Sequence, residues 1–261
     1  MDFDALLDLW DVFLLIFVRV TGLFVVSPIF GRREIPAYYK IGFSFLLAIV
    51  ISSAISMPDL GQYSSLLSFF LLVIKEFLIG LILGYISYLI TTSIYFAGQI
   101  IDMHMGFGMV NVFDPLTNIQ IPVTANFYYI LATLMMLAID GHHLLIYTLC
   151  ESFTLFPIGS KIVIGQSLVD FAADIITSVF SVGFKIAAPI TAALLITDMA
   201  LGIIAKAVPQ VNVFIVGLPL KILVGFFVIT VTIAAFRSVV HVLMGGMQDE
   251  IVKFLGIIRG E

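Results

Sequence analysis

Long apolar stretches follow one another along almost the whole chain, and each approaches or exceeds the roughly 20 residues that a helix needs to cross a bilayer. About six can be distinguished: residues 9–30, 41–56, 66–97, 125–149, 175–206 and 211–236. Short sections containing proline and glycine separate them, and we expect Pro209 and Pro219 to mark such breaks. The pattern predicts an all-α, polytopic membrane-complex protein of helical hairpins, with kinks at internal prolines such as Pro189.

The composition agrees with a membrane protein. Apolar side chains make up 61% of the 261 residues and charged ones 11%, compared with roughly 45–50% and about 25% in soluble domains. The net charge is −5 and the basic residues are scattered, so there is no basic patch for nucleic acid. The apolar character never gives way to a charged block, which predicts one membrane unit over residues 1–261.

The basic residues leave the orientation in the membrane open. Arg32, Arg33 and Lys40 follow the first apolar segment, which places the N-terminus outside by the positive-inside rule. Alternation through six spans then puts the basic residues of the tail outside as well. Either one segment does not span, or the chain does not lie in the bilayer as an ordinary helical bundle.

The C-terminal residues 237–261 are predicted to form a helical tail that Gly245 and Gly246 interrupt. Its apolar residues recur at helical spacing, which favours packing against protein over lying on a membrane surface. They are Val240, Leu243, Met247, Ile251, Phe254 and Ile258.

Ionisable side chains within apolar segments are costly and are therefore candidates for function. The set comprises Arg19, Lys75, Glu76, Asp140, His142, His143, Lys185 and Asp198. The simpler explanation is that they reach water near helix ends or neutralise one another. One alternative function, a secondary transporter for a small solute or a proton, would use Asp140, Lys185 and Asp198 at broken helices, although no two related halves are visible.

The sequence gives little support for catalysis or for a cofactor. Side chains of the kind that bind zinc-like ions are present: Asp102, His104, Asp140, His142, His143 and His241. Adjacent residues on a helix diverge by about 100°, so His142 and His143 are not expected to share a metal. No motif for a nucleophile, a zinc protease or phosphate binding is found, and we expect neither an enzyme nor a bound cofactor.

Two patterns concern helix faces. Polar residues spaced by three or four line one side of the fifth segment, and they predict either a face toward a pore or polar partner, or a solvated face outside the membrane core. They are Asp170, Asp174, Ser178, Ser181 and Lys185. In the third segment, Gly80 and Gly84 form a G-x-x-x-G pattern that lets a second helix approach closely.

The section between the third and fourth segments, residues 97–124, is predicted to be a loop. Within it, residues 106–115 combine flexible glycines with bulky phenylalanine and methionine side chains. This composition suits a movable apolar constriction, and a plain packed loop is the alternative. The residues concerned are Gly106, Phe107, Gly108, Met109, Val112, Phe113, Asp114 and Pro115.

Several motifs in this order resemble the FliR/SctT family of export-gate proteins of type III secretion. The resemblance covers nearly the whole chain and includes Gln99-Ile100-Ile101-Asp102, Phe113-Asp114-Pro115 and Asp140-Gly141-His142. Its most specific part is the run from Val208 through Pro209-Gln210-Val211-Asn212-Val213-Phe214, followed by Gly217-Leu218-Pro219-Leu220-Lys221.

The resemblance implies a core subunit of the flagellar export gate in the bacterial inner (cytoplasmic) membrane, at the basal body of the flagellum. It implies assembly with FliP and FliQ into a conical channel that rises largely out of the bilayer, and cooperation with FlhB and FlhA. Unfolded rod, hook and filament subunits would pass through this channel. By the same resemblance, residues 106–115 are expected to be the plug that closes the channel, with Phe107, Met109, Val112 and Phe113 as its apolar side chains.

Overall fold

The computed structural model of the chain describes residues 3–55, 66–107, 122–210 and 212–260, and all regular secondary structure in these ranges is helical. The predicted all-α fold is therefore confirmed. The helices are α1 (Phe3–Val26), α2 (Ala37–Ala54), α3 (Leu66–Met105), α4 (Val123–Ala138), α5 (Gly141–Leu155), α6 (Gln166–Ala207) and α7 (Val213–Arg259).

Five of these helices, α1, α2, α3, α6 and α7, are long and apolar enough to cross a membrane. The bent pair α4 and α5 provides a sixth candidate if the two count as one span. This agrees with the predicted polytopic membrane protein. The apolar stretch 125–149 is not one straight helix, however, because Asp140 adopts a left-handed conformation with φ 57° and separates α4 from α5. Aspartate tolerates this conformation better than most residues.

Helices α3 and α7 are longer than the apolar pattern predicts. Helix α3 continues to Met105, past the predicted loop boundary at residue 97. Helix α6 contains Pro189, and α7 contains Pro219, which the sequence placed at a break. Buried neighbours and the remaining hydrogen bonds let membrane helices tolerate proline and glycine, so these residues do not end the helices here.

The predicted separate tail is likewise a continuation of α7, which passes through Gly245 and Gly246 without a break. Its six predicted apolar positions are all buried, with relative exposures between 0 and 7%. The prediction that this face packs against protein is confirmed. Near the end of the helix, Phe254 packs on Phe171 with ring centroids 5.9 Å apart, and the Arg259 guanidinium donates a hydrogen bond to the Leu155 carbonyl over 3.3 Å.

The helices group into two compact units. The first unit contains the described parts of Met1–Ile90, Asp140–Ile175 and Met244–Glu261. The second contains the described parts of Thr91–Ile139 and Ile176–Leu243. Each of α3, α6 and α7 contributes one part to each unit.

Candidate functional site

The predicted plug segment begins directly at the end of α3. Gly106 ends this helix with φ 88°, a conformation that favours glycine, and its amide donates to the Met103 carbonyl over 3.3 Å. Gly106 and Phe107 are both half-buried. The other predicted plug residues lie outside the described part of the chain: Gly108, Met109, Val112, Phe113, Asp114 and Pro115.

A buried carboxylate joins the two ends of this loop. Asp102, in the last turn of α3, is 6% exposed. One of its oxygens accepts a hydrogen bond from the Thr124 amide over 2.9 Å, and the other accepts one from the Ala125 amide over 3.2 Å. These amides belong to the first turn of α4, where N–H groups have no partner within the helix and the helix dipole favours a negative charge. Asp102 therefore caps α4 from a neighbouring helix.

The local cap of α4 is otherwise missing. Pro122 occupies the N-cap position and forms no side-chain capping hydrogen bond. Proline has no side-chain acceptor, and the Asp102 carboxylate from α3 takes over this role.

Close packing reinforces the junction of α3 and α4. A Cβ atom added to Gly98 would overlap the backbone of Ala125, so the two helices approach at backbone distance. Met105 is fully buried, and its side chain fills the space beside Gly225 of α7. The Thr124 hydroxyl donates to the Met105 sulfur over 3.7 Å. The loop thus starts and ends on a tightly packed base.

The most specific motif of the sequence contributes to the same base. The Asn212 side chain accepts a weak hydrogen bond of 3.4 Å from the Ile215 amide in the first turn of α7. Leu218 lies next to Gly106, where its side chain would meet an added Cβ atom. Lys221 forms an ion pair of 2.7 Å with Asp198 of α6. The motif therefore shapes the turn from α6 to α7 and reaches the first residue of the loop.

The predicted polar row lies on α6, and all five of its side chains are exposed: Asp170, Asp174, Ser178, Ser181 and Lys185. Asp174 contacts Lys253 of α7 over 3.5 Å, with both side chains about half or more exposed. Gln166 donates to Asp170 over 3.2 Å. The row is a polar face on the outside of this chain, along a helix apolar enough to cross a membrane.

Two charged residues of the first and third apolar segments, Arg19 and Glu76, form the centre of a buried network. The Arg19 Nε donates to a Glu76 oxygen over 2.7 Å, and both side chains are fully buried. The same guanidinium donates to the carbonyls of Ser152 and Phe156 over 3.1 Å each, and it lies 4.3 Å from the ring centre of Phe153. These charges neutralise each other and connect α1, α3 and α5, which is the simpler of the two explanations given by the sequence.

The G-x-x-x-G pattern lies where α1 crosses α3. Cβ atoms added to Gly80 and Gly84 would overlap the backbone of Arg19 and Leu23. Gly22 of α1 packs in the same way against the backbone of α3 at Phe77 and Leu81. Sequence reasoning missed Gly22, because a single glycine in an apolar helix gives no pattern of its own.

The side chains of Asp140, His142 and His143 come closer together than the helix argument allowed. Their possible ligand atoms lie within 4.8 Å of one another, and the two imidazole rings are 4.1 Å apart. Asp140 is the N-cap residue of α5, and His142 and His143 lie in the first turn of this helix. Asp140 and His143 contact each other over 3.5 Å and are more than 70% exposed.

Three other residues of the predicted metal and transport sets are placed by the structure. Asp102 caps α4, and Asp198 pairs with Lys221. Lys185 is exposed on α6. The three residues that the transporter hypothesis would use are an exposed helix cap, an exposed lysine and a paired carboxylate.

Comparison with known proteins identifies the family. Residues 10–247 match the family described as bacterial export proteins, family 1. The chain belongs to this family. The resemblance inferred from the motifs is thereby confirmed, and the chain is a membrane protein of a bacterial export family.

The relatives within this family agree with one another in name. The chain is 39% identical to the flagellar biosynthetic protein FliR of Bacillus subtilis (strain 168), over 91% of this chain and 92% of the relative. It is 32% identical to the protein of the same name from Pectobacterium carotovorum subsp. carotovorum, over 80% and 79%. The corresponding protein of Escherichia coli (strain K12) is 30% identical over 94% and 91%.

Proposed function

We propose that this chain is a core subunit of the flagellar type III protein export gate in the bacterial inner membrane. It assembles with FliP and FliQ into a channel for unfolded rod, hook and filament subunits, next to FlhB and FlhA. The observation that carries the proposal is the family match over residues 10–247, together with full-length relatives named flagellar biosynthetic protein FliR.

The helix lengths support an assembly that extends beyond the bilayer. Helices α3, α6 and α7 contain 40, 42 and 47 residues. At 1.5 Å per residue they are about 60–70 Å long, which is about twice the hydrocarbon thickness of roughly 30 Å. Part of each helix must then lie outside the hydrocarbon or run strongly inclined to the membrane normal. This also accounts for the failure of a simple orientation count.

The exposed polar row on α6 supports contact with partners or with a lumen. Charged and hydroxyl side chains within a spanning helix are expensive when they face lipid, and this chain does not cover them. A polar partner subunit or a water-filled passage would solvate them. We therefore assign Asp170, Asp174, Ser178, Ser181 and Lys185 to a face toward the lumen or a partner.

The loop after Met105 is the proposed seal of this passage. A dry apolar constriction blocks ions at rest and can move aside when a chain passes. The loop carries the aromatic and methionine side chains that such a constriction needs, and the helix ends on either side of it pack closely together. Phe107 at its start is already half-buried in this chain.

The test is the ion conductance of the assembled gate in planar bilayers. Replacing Phe107, Met109 and Phe113 with glycine should raise the resting conductance several-fold without changing subunit composition. As a control, three exposed apolar residues at the other end of α3, Leu66, Leu67 and Phe70, are replaced with alanine and should leave it unchanged. Equal conductance of the loop variant and the wild type contradicts the assignment of the seal.

Copurification tests the assembly separately. The tagged chain should recover FliP and FliQ in a stable complex from the membranes of flagellated cells. A chain that is isolated alone and transports a small solute by itself contradicts the proposal and supports the transporter hypothesis.

A further inference from the structure

We propose that Asp140, His142 and His143 form a binding site for a divalent transition-metal cation such as Zn²⁺ at the start of α5. The proposal goes beyond the export function and does not depend on it. The sequence predicted no shared metal here, because adjacent residues on a helix diverge by about 100°. In the structure, however, the possible ligand atoms of the three side chains lie within 4.8 Å of one another, and this removes the objection.

The distances between the side chains are compatible with a shared ion. Zinc lies about 2.0–2.2 Å from nitrogen and oxygen ligands, so two ligand atoms of a tetrahedral site are about 3.4 Å apart. The Asp140 Oδ1 and the His143 Nδ1 are 3.5 Å apart. Both side chains are more than 70% exposed, so they have room to rotate toward the ligand atom of His142.

The three side chains suit a transition metal better than a hard cation. Imidazole and carboxylate together bind Zn²⁺ and similar ions, whereas Mg²⁺ and Ca²⁺ prefer oxygen ligands alone. Three protein ligands leave a further position for water or for a group from a partner. The N-terminus of α5 disfavours a cation through the helix dipole, and the Asp140 carboxylate supplies the negative charge that offsets this effect.

One ring nitrogen of this cluster supports the proposal independently. The His142 Nδ1 is buried and has no hydrogen-bond partner in the described part of the chain. Buried polar atoms nearly always have a partner, and a metal ion is one that a neutral imidazole nitrogen accepts. A cation bound at this atom would supply the partner.

The backbone fixes the spacing of the proposed ligands. Asp140 is the one non-glycine residue with positive φ in the described ranges, and such residues cluster at functional sites. Its carbonyl accepts hydrogen bonds from the amides of His143 over 2.9 Å and Leu144 over 3.3 Å. The first turn of α5 therefore holds Asp140 beside His143, and ligands that are already positioned lose less freedom on binding.

An ion pair of Asp140 with His143 in the absence of a metal is the simpler interpretation of the same contact. This pair does not require the imidazole of His142. A shared metal ion requires all three side chains. The effect of replacing His142 therefore distinguishes the two interpretations.

The experiment measures Zn²⁺ binding to the purified full-length chain, prepared without a histidine tag, by isothermal titration calorimetry in detergent micelles. The wild type should bind one ion per chain, and Mg²⁺ at the same concentration should not displace it. His142→Gln and His143→Gln should each weaken binding at least about tenfold, because the loss of a group that merely orients a ligand already costs about 10- to 100-fold. The matched control is His241→Gln, which changes an exposed histidine of the other unit and should bind as the wild type does.

Each outcome decides for or against the site. Absence of saturable Zn²⁺ binding to the wild type would overturn the proposal. Binding that His142→Gln leaves unchanged would overturn it too, in favour of the plain ion pair. Equal weakening by His241→Gln would show unspecific binding to exposed imidazoles. Circular dichroism of the metal-free variants checks their folding, and His143→Gln, at an exposed position, keeps the test valid if His142→Gln unfolds. The readout needs neither partner subunits nor export, so it is separate from the test of the proposed function.

Discussion

The buried pair of Arg19 and Glu76 gives the sharpest stability prediction. Glu76→Gln keeps the size of the side chain and removes its charge. The Arg19 guanidinium then remains fully buried without a carboxylate partner, and it retains uncharged contacts with the carbonyls of Ser152 and Phe156, the Ser152 hydroxyl and the ring of Phe153.

Removing one partner of a buried ion pair costs about 3–5 kcal/mol, because the other charge stays in a poorly solvated site. The two carbonyl contacts and the aromatic ring offset part of this cost. We therefore expect a loss near the lower limit, about 3 kcal/mol. Replacing both residues at once, Arg19→Met with Glu76→Gln, should cost less than the sum of the two single changes, since no buried charge is left unpaired.

The assay is unfolding of the purified chain in mixed micelles by titration with sodium dodecyl sulfate, followed by circular dichroism and tryptophan fluorescence. Asp174→Asn is the matched control, because its ion pair with Lys253 is exposed and should contribute less than about 1 kcal/mol. An ordinary surface substitution changes the free energy of unfolding by no more than about 0.5 kcal/mol. A change of this size for Glu76→Gln would refute the view that this pair holds α1 and α3 together.

Three further predictions use the same unfolding assay. Gly80→Ala should destabilise the chain, because the added Cβ atom overlaps the backbone of α1. In the control Gly42→Ala the added Cβ atom meets nothing within 4 Å, so this change should be neutral or stabilising by up to about 1 kcal/mol. Equal effects at both positions would argue against the close crossing of α1 and α3. Met247→Ala should cost about 2–5 kcal/mol, because it truncates a buried side chain. The control is Val242→Ala, which should stay within about 0.5 kcal/mol because Val242 is 71% exposed. A tolerated Met247 variant would show that the end of α7 is not part of the core. Lys221→Met should cost less than about 1 kcal/mol, because the Asp198 carboxylate with which Lys221 pairs is partly exposed. A larger loss would contradict the view that this ion pair is exposed to solvent.

The fold class could be predicted from the sequence because long apolar runs with helical spacing give a strong signal. Helix ends were harder to predict. The sequence placed a loop boundary at residue 97 and a break at Pro219, yet α3 and α7 continue through both positions. Glycine and proline weaken a helix by amounts that buried packing can offset, and packing cannot be read from spacing along the chain.

At the candidate site, too, some features could be predicted from the sequence and others depend on contacts between helices. The loop composition led to the prediction of an apolar constriction at residues 106–115. The sequence also indicated that buried charges such as Arg19 and Glu76 could neutralise one another. The role of Asp102 was not predicted, because the two amides that donate to its carboxylate lie 22 and 23 residues further along the chain, on another helix. The one sequence feature that could have indicated a cap from another helix is Pro122 before α4, because proline has no side-chain acceptor. Likewise, the sequence did not reveal that Asp140 adopts a left-handed conformation and contacts His143 at the start of α5.

We propose that the loop between α3 and α4 closes a passage formed with partner subunits. The most direct measurement replaces residues 107–121 with a short glycine–serine linker and records the resting conductance of the complete gate. Because Asp102 keeps the two loop ends together, such a linker can connect them without disturbing the helices. If the loop is the seal, the complex stays intact and conducts ions at rest. An intact complex that remains as tight as the wild type would contradict it.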